Sequence, residues 1–270
     1  MFFAIQQINM KLNLNLIGML ILTGILFSQC SADELGSFSE SENGASGSIT
    51  RFAVNDGYMY SLNPNQIQTF DLSDPSEPEL VHELTTDYGL ETIFIYEGNA
   101  YLGSRTGLYI LGLSNPAEPV ILSQTTRGEE FFGGCDPVVV KGNYAFSTIK
   151  IIENICGTFN SRSALIVYDV SNLENPVELG AYDLDEPNGL GIVNNLLFVC
   201  DAGSDKLVAF DISDPENTQP LPELDFPIEN PFDMIVDGDR VIVSAMTDFH
   251  ILDISDLSNI NIIKSIKKGE

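Results

Sequence analysis

Tryptophan is absent from this chain, histidine occurs twice, and Lys and Arg together number 12 against 39 Asp and Glu. Each shortage excludes something. The two histidines, His82 and His250, lie about four repeats apart, with no acid and nucleophile at triad spacing. No G-x-S-x-G, H-E-x-x-H or glycine-rich phosphate loop is present. The formal net charge of −27 repels nucleic acid and anionic headgroups. With no Trp and 9% aromatic residues, the usual aromatic sugar platform is thinly supplied. No segment after residue 30 carries a 3.6-residue period, which argues against a helical fold. The longest apolar run, Leu16 to Phe27, is too short to span a membrane.

What is present is one phrase written five times. It reads TFDLSDPSEPELV (69–81), ILGLSNPAEPVIL (110–122), VYDVSNLENPVEL (167–179), AFDISDPENTQPL (209–221) and ILDISDLSNINII (251–263). Each copy is an apolar strand, a pivot, a polar turn usually holding Pro, and a second strand. The pivots are Asp71, Gly112, Asp169, Asp211 and Asp253, so the spacings are 41, 57, 42 and 42 residues. A period near 42 means units that cannot bury their cores alone. Ahead of each phrase runs a hairpin, as in FAVNDGYMY (52–60) and FIYEGNAYL (94–102), with β-branched runs around Asp-Gly or Gly-Asn turns. Four antiparallel strands per repeat predict an all-β fold, a β-propeller of about five blades. The blades fall at about 49–87, 88–130, 131–186, 187–230 and 231–267. The last repeat owns all four of its strands, so residues 46–49 are the only candidates to lock a ring. An open arc or a sandwich pair is the alternative. The Asp pivots are expected to bond their own backbone two residues on and start the turn.

The N-terminal 29 residues read as a signal peptide ending at Leu26-Phe27-Ser28-Gln29-Cys30. This resembles a bacterial lipoprotein signal, which implies a lipid on Cys30, although Gln29 stands where a small residue is usual. Met10 is a second possible start. Residues 30–48 are rich in Ser, Gly, Asp and Glu and read as a flexible tether. Asp33-Glu34 is similar to the surface-export signal of Bacteroidetes lipoproteins.

Third-strand text such as Leu165-Ile-Val-Tyr-Asp169, Leu207-Val-Ala-Phe-Asp211 and Ile251-Leu-Asp253 resembles the LVIVD repeat family. Cys135 to Phe146 and Leu197 to Asp201 are similar to segments of its lipoproteins. The resemblance implies a propeller on a bacterial outer-membrane, surface-exposed lipoprotein and implies no reaction.

In an oxidising compartment Cys135 and Cys156 are placed to pair: one precedes blade three, the other lies in the insertion that stretches a spacing to 57. A disulfide there would stabilise by about 3 kcal/mol. Cys200, in a hydrophobic strand, is expected to be a buried thiol. The cysteines lack zinc spacing. Glu91, Asp136 and Asp233 each stand just before a first strand, where a propeller lines its channel; Asp185, Glu186 and Glu229 come from nearby loops. Converging oxygens would suit Ca²⁺ or a cationic ligand; no other cofactor and no catalytic residue is expected. Tyr58, Tyr60, Tyr101 and Tyr144 on second strands are assigned to packing. The reading is a monomeric, non-enzymatic, envelope-anchored module that binds a protein or glycan. Its rivals are a channel-face enzyme with an acidic rim and a polysaccharide-binding module.

Overall fold

The computed structural model describes residues 44–47, 49–87, 89–105, 107–125, 137–151 and 162–269, with 44–47 as backbone. Cys30, Cys135, Asp136 and Cys156, and with them the lipid site and the disulfide, lie outside these residues. A short strand, β1 (Gly44–Gly47), comes first. Blade 1 follows as β2 (Phe52–Asn55), β3 (Tyr58–Asn63), β4 (Gln66–Asp71) and β5 (Glu79–Thr85). Blade 2 is β6 (Leu90–Tyr96), β7 (Asn99–Ser104), β8 (Gly107–Gly112) and β9 (Val120–Gln124). Blade 3 is β10 (Val138–Lys141), β11 (Tyr144–Ile149), β12 (Ala164–Asp169) and β13 (Val177–Asp183). Blade 4 is β14 (Pro187–Val193), β15 (Leu196–Asp201), β16 (Lys206–Asp211) and a divided outer strand, β17 (Gln219–Pro220) and β18 (Phe226–Pro227). Blade 5 is β19 (Pro231–Asp237), β20 (Arg240–Ala245), β21 (Asp248–Asp253) and β22 (Asn261–Lys267). Every blade is an antiparallel meander in chain order. The protein is a β-propeller of five four-stranded blades.

Local chemistry fixes where the strands turn. The hairpin turns hold Asp56-Gly57, Glu97-Gly98 and Gly142 with positive φ, which suits the twist of the flanking strands. At the pivots, Asp71, Asp169, Asp211 and Asp253 accept from the backbone N–H two residues on, at 2.7, 2.8, 2.8 and 3.0 Å. In the second copy the pivot is Gly112, and Leu122 stands 3.3 Å from where its Cβ would lie. A second bond of the same kind, from Asp74 to Ser76, Asn172 to Glu174 and Asp256 to Ser258, tightens the next turn. Between third and fourth strands the register slips at one matching place in four blades: after Thr69, Ile110, Val167 and Ile251. This bulge bends each outer strand by a common amount. Blade 4 departs from the rule because Pro220, Pro222 and Pro227 cannot donate to a ladder, so a 3₁₀ turn (Pro222–Leu224) interrupts its edge between β17 and β18, and another (Pro215–Asn217) forms the turn after the pivot.

Blades pack face to face, always the forward face of one on the rear face of the next. Tyr60, Leu62 and Ile67 of blade 1 meet Leu90, Leu102 and Leu111 of blade 2. Tyr101, Leu108 and Ile110 then meet Val138, Val140 and Ile166 of blade 3. Leu165 and Phe146 meet Leu190 and Val199 of blade 4, and Phe198 and Leu207 meet Met234 and Val243 of blade 5. Blades 2 to 4 are covered on both faces, so β8 is buried at every position and β12 at all but its last, Asp169. Strands of this kind read as continuous apolar runs rather than alternations.

The chain's start supplies a difference from expectation. Part of the proposed tether is strand: β1 runs antiparallel to β14 with Gly44 opposite Val193 and Gly47 opposite Leu190. It adds a fifth ribbon to the channel edge of blade 4, where the expected partner for a locking strand was blade 5. Composition alone missed it because the strand is held by backbone pairing to an open edge, which needs no apolar side chain.

Two outcomes follow. Ile166→Ala, wholly buried between blades 2 and 3, is expected to lower stability by about 2–5 kcal/mol, whereas Val54→Ala on an exposed face changes it by less than about 0.5 kcal/mol; urea unfolding of the two variants checks the contrast. The N–H and hydroxyl of Ser213 hold the Asp211 carboxyl below the usual carboxylate range, and the hydroxyl and N–H of Ser255 do the same for Asp253. Depressed folded values mean that these turns contribute in full above the unfolded carboxyl pKa and loosen as pH falls through the folded one. Carboxyl ¹³C titration is expected to place both midpoints below that of free aspartate; a midpoint at or above it contradicts the turn assignment.

Candidate functional site

One end of the blades concentrates the buried polar residues. It is the end where first strands begin and second strands finish. Glu91, Thr92 and Ser104 stand there on blade 2, Ser147 and Thr148 on blade 3, and Asn188 and Asp201 on blade 4. Three inner strands carry a register shift at this same end. The ladders jump from Leu90 to Thr92, from Pro187 to Leu190, and from Pro231 to Asp233. The unpaired residues are therefore Glu91, Asn188 with Gly189, and Phe232. A bulge re-aims a side chain out of the sheet's alternation, and here it does so at equivalent places around the channel mouth.

Each bulged position is used differently. Glu91 is buried and its Oε1 accepts from Arg105 Nε at 2.7 Å. Asn188 bridges blades: its Nδ2 donates to the Glu186 and Pro231 carbonyls at 3.1 and 3.4 Å, while Thr148 Oγ1 donates to its own carbonyl at 2.7 Å. Phe232 is left 50% exposed, beside the 73% exposed Met246 in the turn between β20 and β21 of the same blade.

Carboxylates at this end are spent on backbone. Asp201 is buried and accepts from the N–H groups of Asp185 and Glu186 at 3.3 and 2.6 Å and from Ser204 Oγ at 2.8 Å. Asp233 accepts from Met234 N–H at 2.9 Å and from Ile49 N–H at 3.4 Å, the second bond drawing the segment after β1 to the mouth. Thr50 then accepts from Ile93 N–H at 3.2 Å, carrying the same segment across to blade 2. Gly189 makes room for this: a Cβ there would stand 2.3 Å from Asp233 Oδ1 and 2.8 Å from its Cα. Lys150 pairs with Glu186 at 2.8 Å across blades 3 and 4.

Of the acids singled out from sequence, Glu91 lies in β6 and Asp233 in β19, each at the bulge near the head of its first strand, and Asp185 and Glu186 form the adjoining loop. Glu229 is exposed in the connection to blade 5. Among the described residues no group of three or more His, Cys, Asp or Glu gathers as metal ligands do. Cys200 is a buried free thiol, its pKa pushed well up by burial and by the Asp233 charge. Tyr60 and Tyr101 are buried, which raises both phenols to about 12, and Tyr60 donates to the Pro116 carbonyl at 3.0 Å. His250 meets Ser265 Oγ at 2.9 Å across two outer strands, away from the mouth. Phe232 and Asn188 escaped the sequence reading. The signal for them was positional: Pro231-Phe-Asp and Pro187-Asn-Gly align with Leu90-Glu-Thr at the head of the first strand.

The polar groups of the mouth are engaged with one another, and its exposed element is an aromatic ring with a thioether beside it.

The LVIVD repeat pattern matches residues 46–86, 91–126, 161–184 and 233–267. Blade 4, with its divided outer strand, lies outside the matched stretches. No curated protein matches the sequence. Among solved structures, a functionally unknown protein from Desulfotomaculum acetoxidans superposes with a TM-score of 0.63 at 12% identity, covering 81% of this chain and 70% of that one. A protein from Lactobacillus plantarum gives 0.64 at 13% identity, covering 80% and 70%. A nidogen/laminin complex gives 0.51 at 13%, covering 82% and 77%. At these identities the likeness is one of fold.

Gly189→Ala is expected to push Asp233 aside and separate the inner strands of blades 4 and 5, at a cost of about 1–3 kcal/mol. Faster amide exchange in Pro231–Val236 with blades 1 and 2 unchanged would report it; uniform exchange across all blades would refute the close approach.

Proposed function

We propose that this chain, which belongs to the LVIVD repeat family, is an envelope-anchored binding and scaffolding propeller rather than an enzyme. The observation that carries this reading is the channel mouth. Its acids Glu91, Asp201 and Asp233 are tied to Arg105, to Ser204 and to backbone N–H groups, which spends them on structure, while Phe232 and Met246 offer exposed apolar side chains at the same end. Buried aromatic anchors of this type dominate recognition energies. The ligand class is a protein or glycan presenting an apolar face to that ring. The acidic surface suits a soluble exported domain and disfavours nucleic acid. Cys30 carries the lipid, the segment after it spans the distance to the blades, and the membrane in question is the bacterial outer membrane.

The rival reading, a channel-face enzyme using a bound cation, is disfavoured by the Glu91–Arg105 pair at 2.7 Å, which already supplies the carboxylate with a cation.

Two measurements test the proposal. Radiolabelled palmitate is expected on the wild type and not on Cys30→Ser; equal labelling removes the anchor. Crosslinking in intact envelopes is expected to capture a partner or glycan with the wild type and at least about tenfold less with Phe232→Ala; undiminished capture removes the mouth as the binding surface.

A further inference from the structure

A wheel of five blades needs five interfaces, and among the described residues four hydrophobic clusters build only four. The unmade one is between blade 5 and blade 1. Its two halves are present and open to solvent. On the rear of blade 1, Phe52 and Val54 are 58% and 59% exposed, although the residues at the same register in blade 3, Val138 and Val140, are wholly buried. On the front of blade 5, Ile235 is 53% exposed, and its row continues through Ile242 and Ile251 to Lys264. Half-exposed Phe249 and Ile266 form the next row.

We infer that these two faces join separate copies of the chain head to tail, the front of blade 5 in one molecule packing on the rear of blade 1 in the next. Two observations favour a second copy over other occupants. Forward on rear is how blades meet at all four interfaces inside the molecule, so each open face is already shaped for the other. The charges match. The blade 5 face carries Lys264 in the Ile235 row and Lys268, whose Nζ lies 4.8 Å from the Phe249 ring centroid. The blade 1 face carries Glu83 in the Phe52 row, held by Gln68 at 2.9 Å. In a chain of net −27 most surfaces repel their copies; blade 5 sets four of the 12 basic residues, Arg240, Lys264, Lys267 and Lys268, against its six Asp. Contacts of this type are heterologous and propagate until the rotation closes or a face is blocked. This replaces the monomer expected from sequence and is independent of the channel mouth.

The test uses the full chain in mild detergent, with Cys30→Ser in every sample so that no lipid drives association. Sedimentation velocity from about 1 to about 100 µM is expected to show the parent chain growing from monomer to dimer and beyond. Ile235→Glu and Phe52→Glu each bury a charge in the contact and are expected to weaken association by more than about tenfold. Both sites are exposed in the monomer, and circular dichroism confirms that each variant folds. The deciding sample is their mixture. Phe52→Glu keeps a working front, Ile235→Glu keeps a working rear, and one to one they are expected to form a dimer that stops at two. A parent chain that stays monomeric, meaning that the faces meet within one molecule, overturns the inference. Failure of the two variants to complement each other overturns it equally.

Discussion

A four-stranded sheet that is apolar on both faces is not stable by itself in water; it must be covered twice. Most of this structure follows from that requirement. Blades 2, 3 and 4 meet it with a neighbour on each side; the second and third strands of blades 2 and 3 and the second strand of blade 4 are buried almost throughout. Burial on both faces forces adjacent blades into a common tilt and spacing. The recurring bulge between third and fourth strands and the recurring Asp pivot supply that uniformity from local bonds. Pivot and bulge define the bend; the apolar faces make the bend worth adopting, because each buried side chain contributes on the order of 2 kcal/mol.

Toward the axis the same sheets converge and side chains run out of room. Gly189 and Gly191 mark this limit, the second with Met234 and Val236 at 3.1–3.3 Å from its would-be Cβ. Inner strands also end in open edges facing the channel. An open edge must find partners for its N–H and C=O groups. β14 finds them in β1. At the mouth, where ladders stop at the bulges, side chains take over: Asn188, Thr148, Asp201 and Asp233 bond backbone from their own and neighbouring blades. The polarity of the mouth is therefore first a consequence of geometry. The bulged residue that the backbone does not need is left in solvent, and in blade 5 that is Phe232.

Features with a short sequence reach were legible in advance. Period-2 strands, Asp-Gly and Gly-Asn turns and the Asp-x-Ser pivot all act within a few residues, so their text fixes their geometry. Glu91 and Asp233 fall at the heads of first strands because strand order alone positions them there. Their partners were not legible: Arg105 reaches Glu91 across a β-hairpin, and Ile49 reaches Asp233 from 184 residues away. β1 was hidden because Gly-Ala-Ser-Gly has the composition of a linker, and pairing depends on an edge supplied by another repeat. Nor does text reveal exposure. Phe52-Ala-Val-Asn and Val138-Val-Val-Lys are equivalent in pattern, and only the presence of a neighbouring blade buries one and leaves the other in water.

Charge adds direction to that difference. Coulomb attraction between single surface charges is small, about 1 kcal/mol at contact distance in water, and is screened within about 8 Å in physiological salt. It cannot hold two copies together. It can decide which faces approach. With 39 acids against 12 bases, most pairs of surfaces on this chain repel. The last blade offsets most of its six Asp with Arg240, Lys264, Lys267 and Lys268, and it bears one of the two apolar faces left open. Apolar area then supplies the affinity once the right faces meet. An exposed apolar face on an otherwise acidic protein would be an aggregation hazard if any surface could approach it; restricting the approach to one complementary face turns that hazard into an ordered, polar contact.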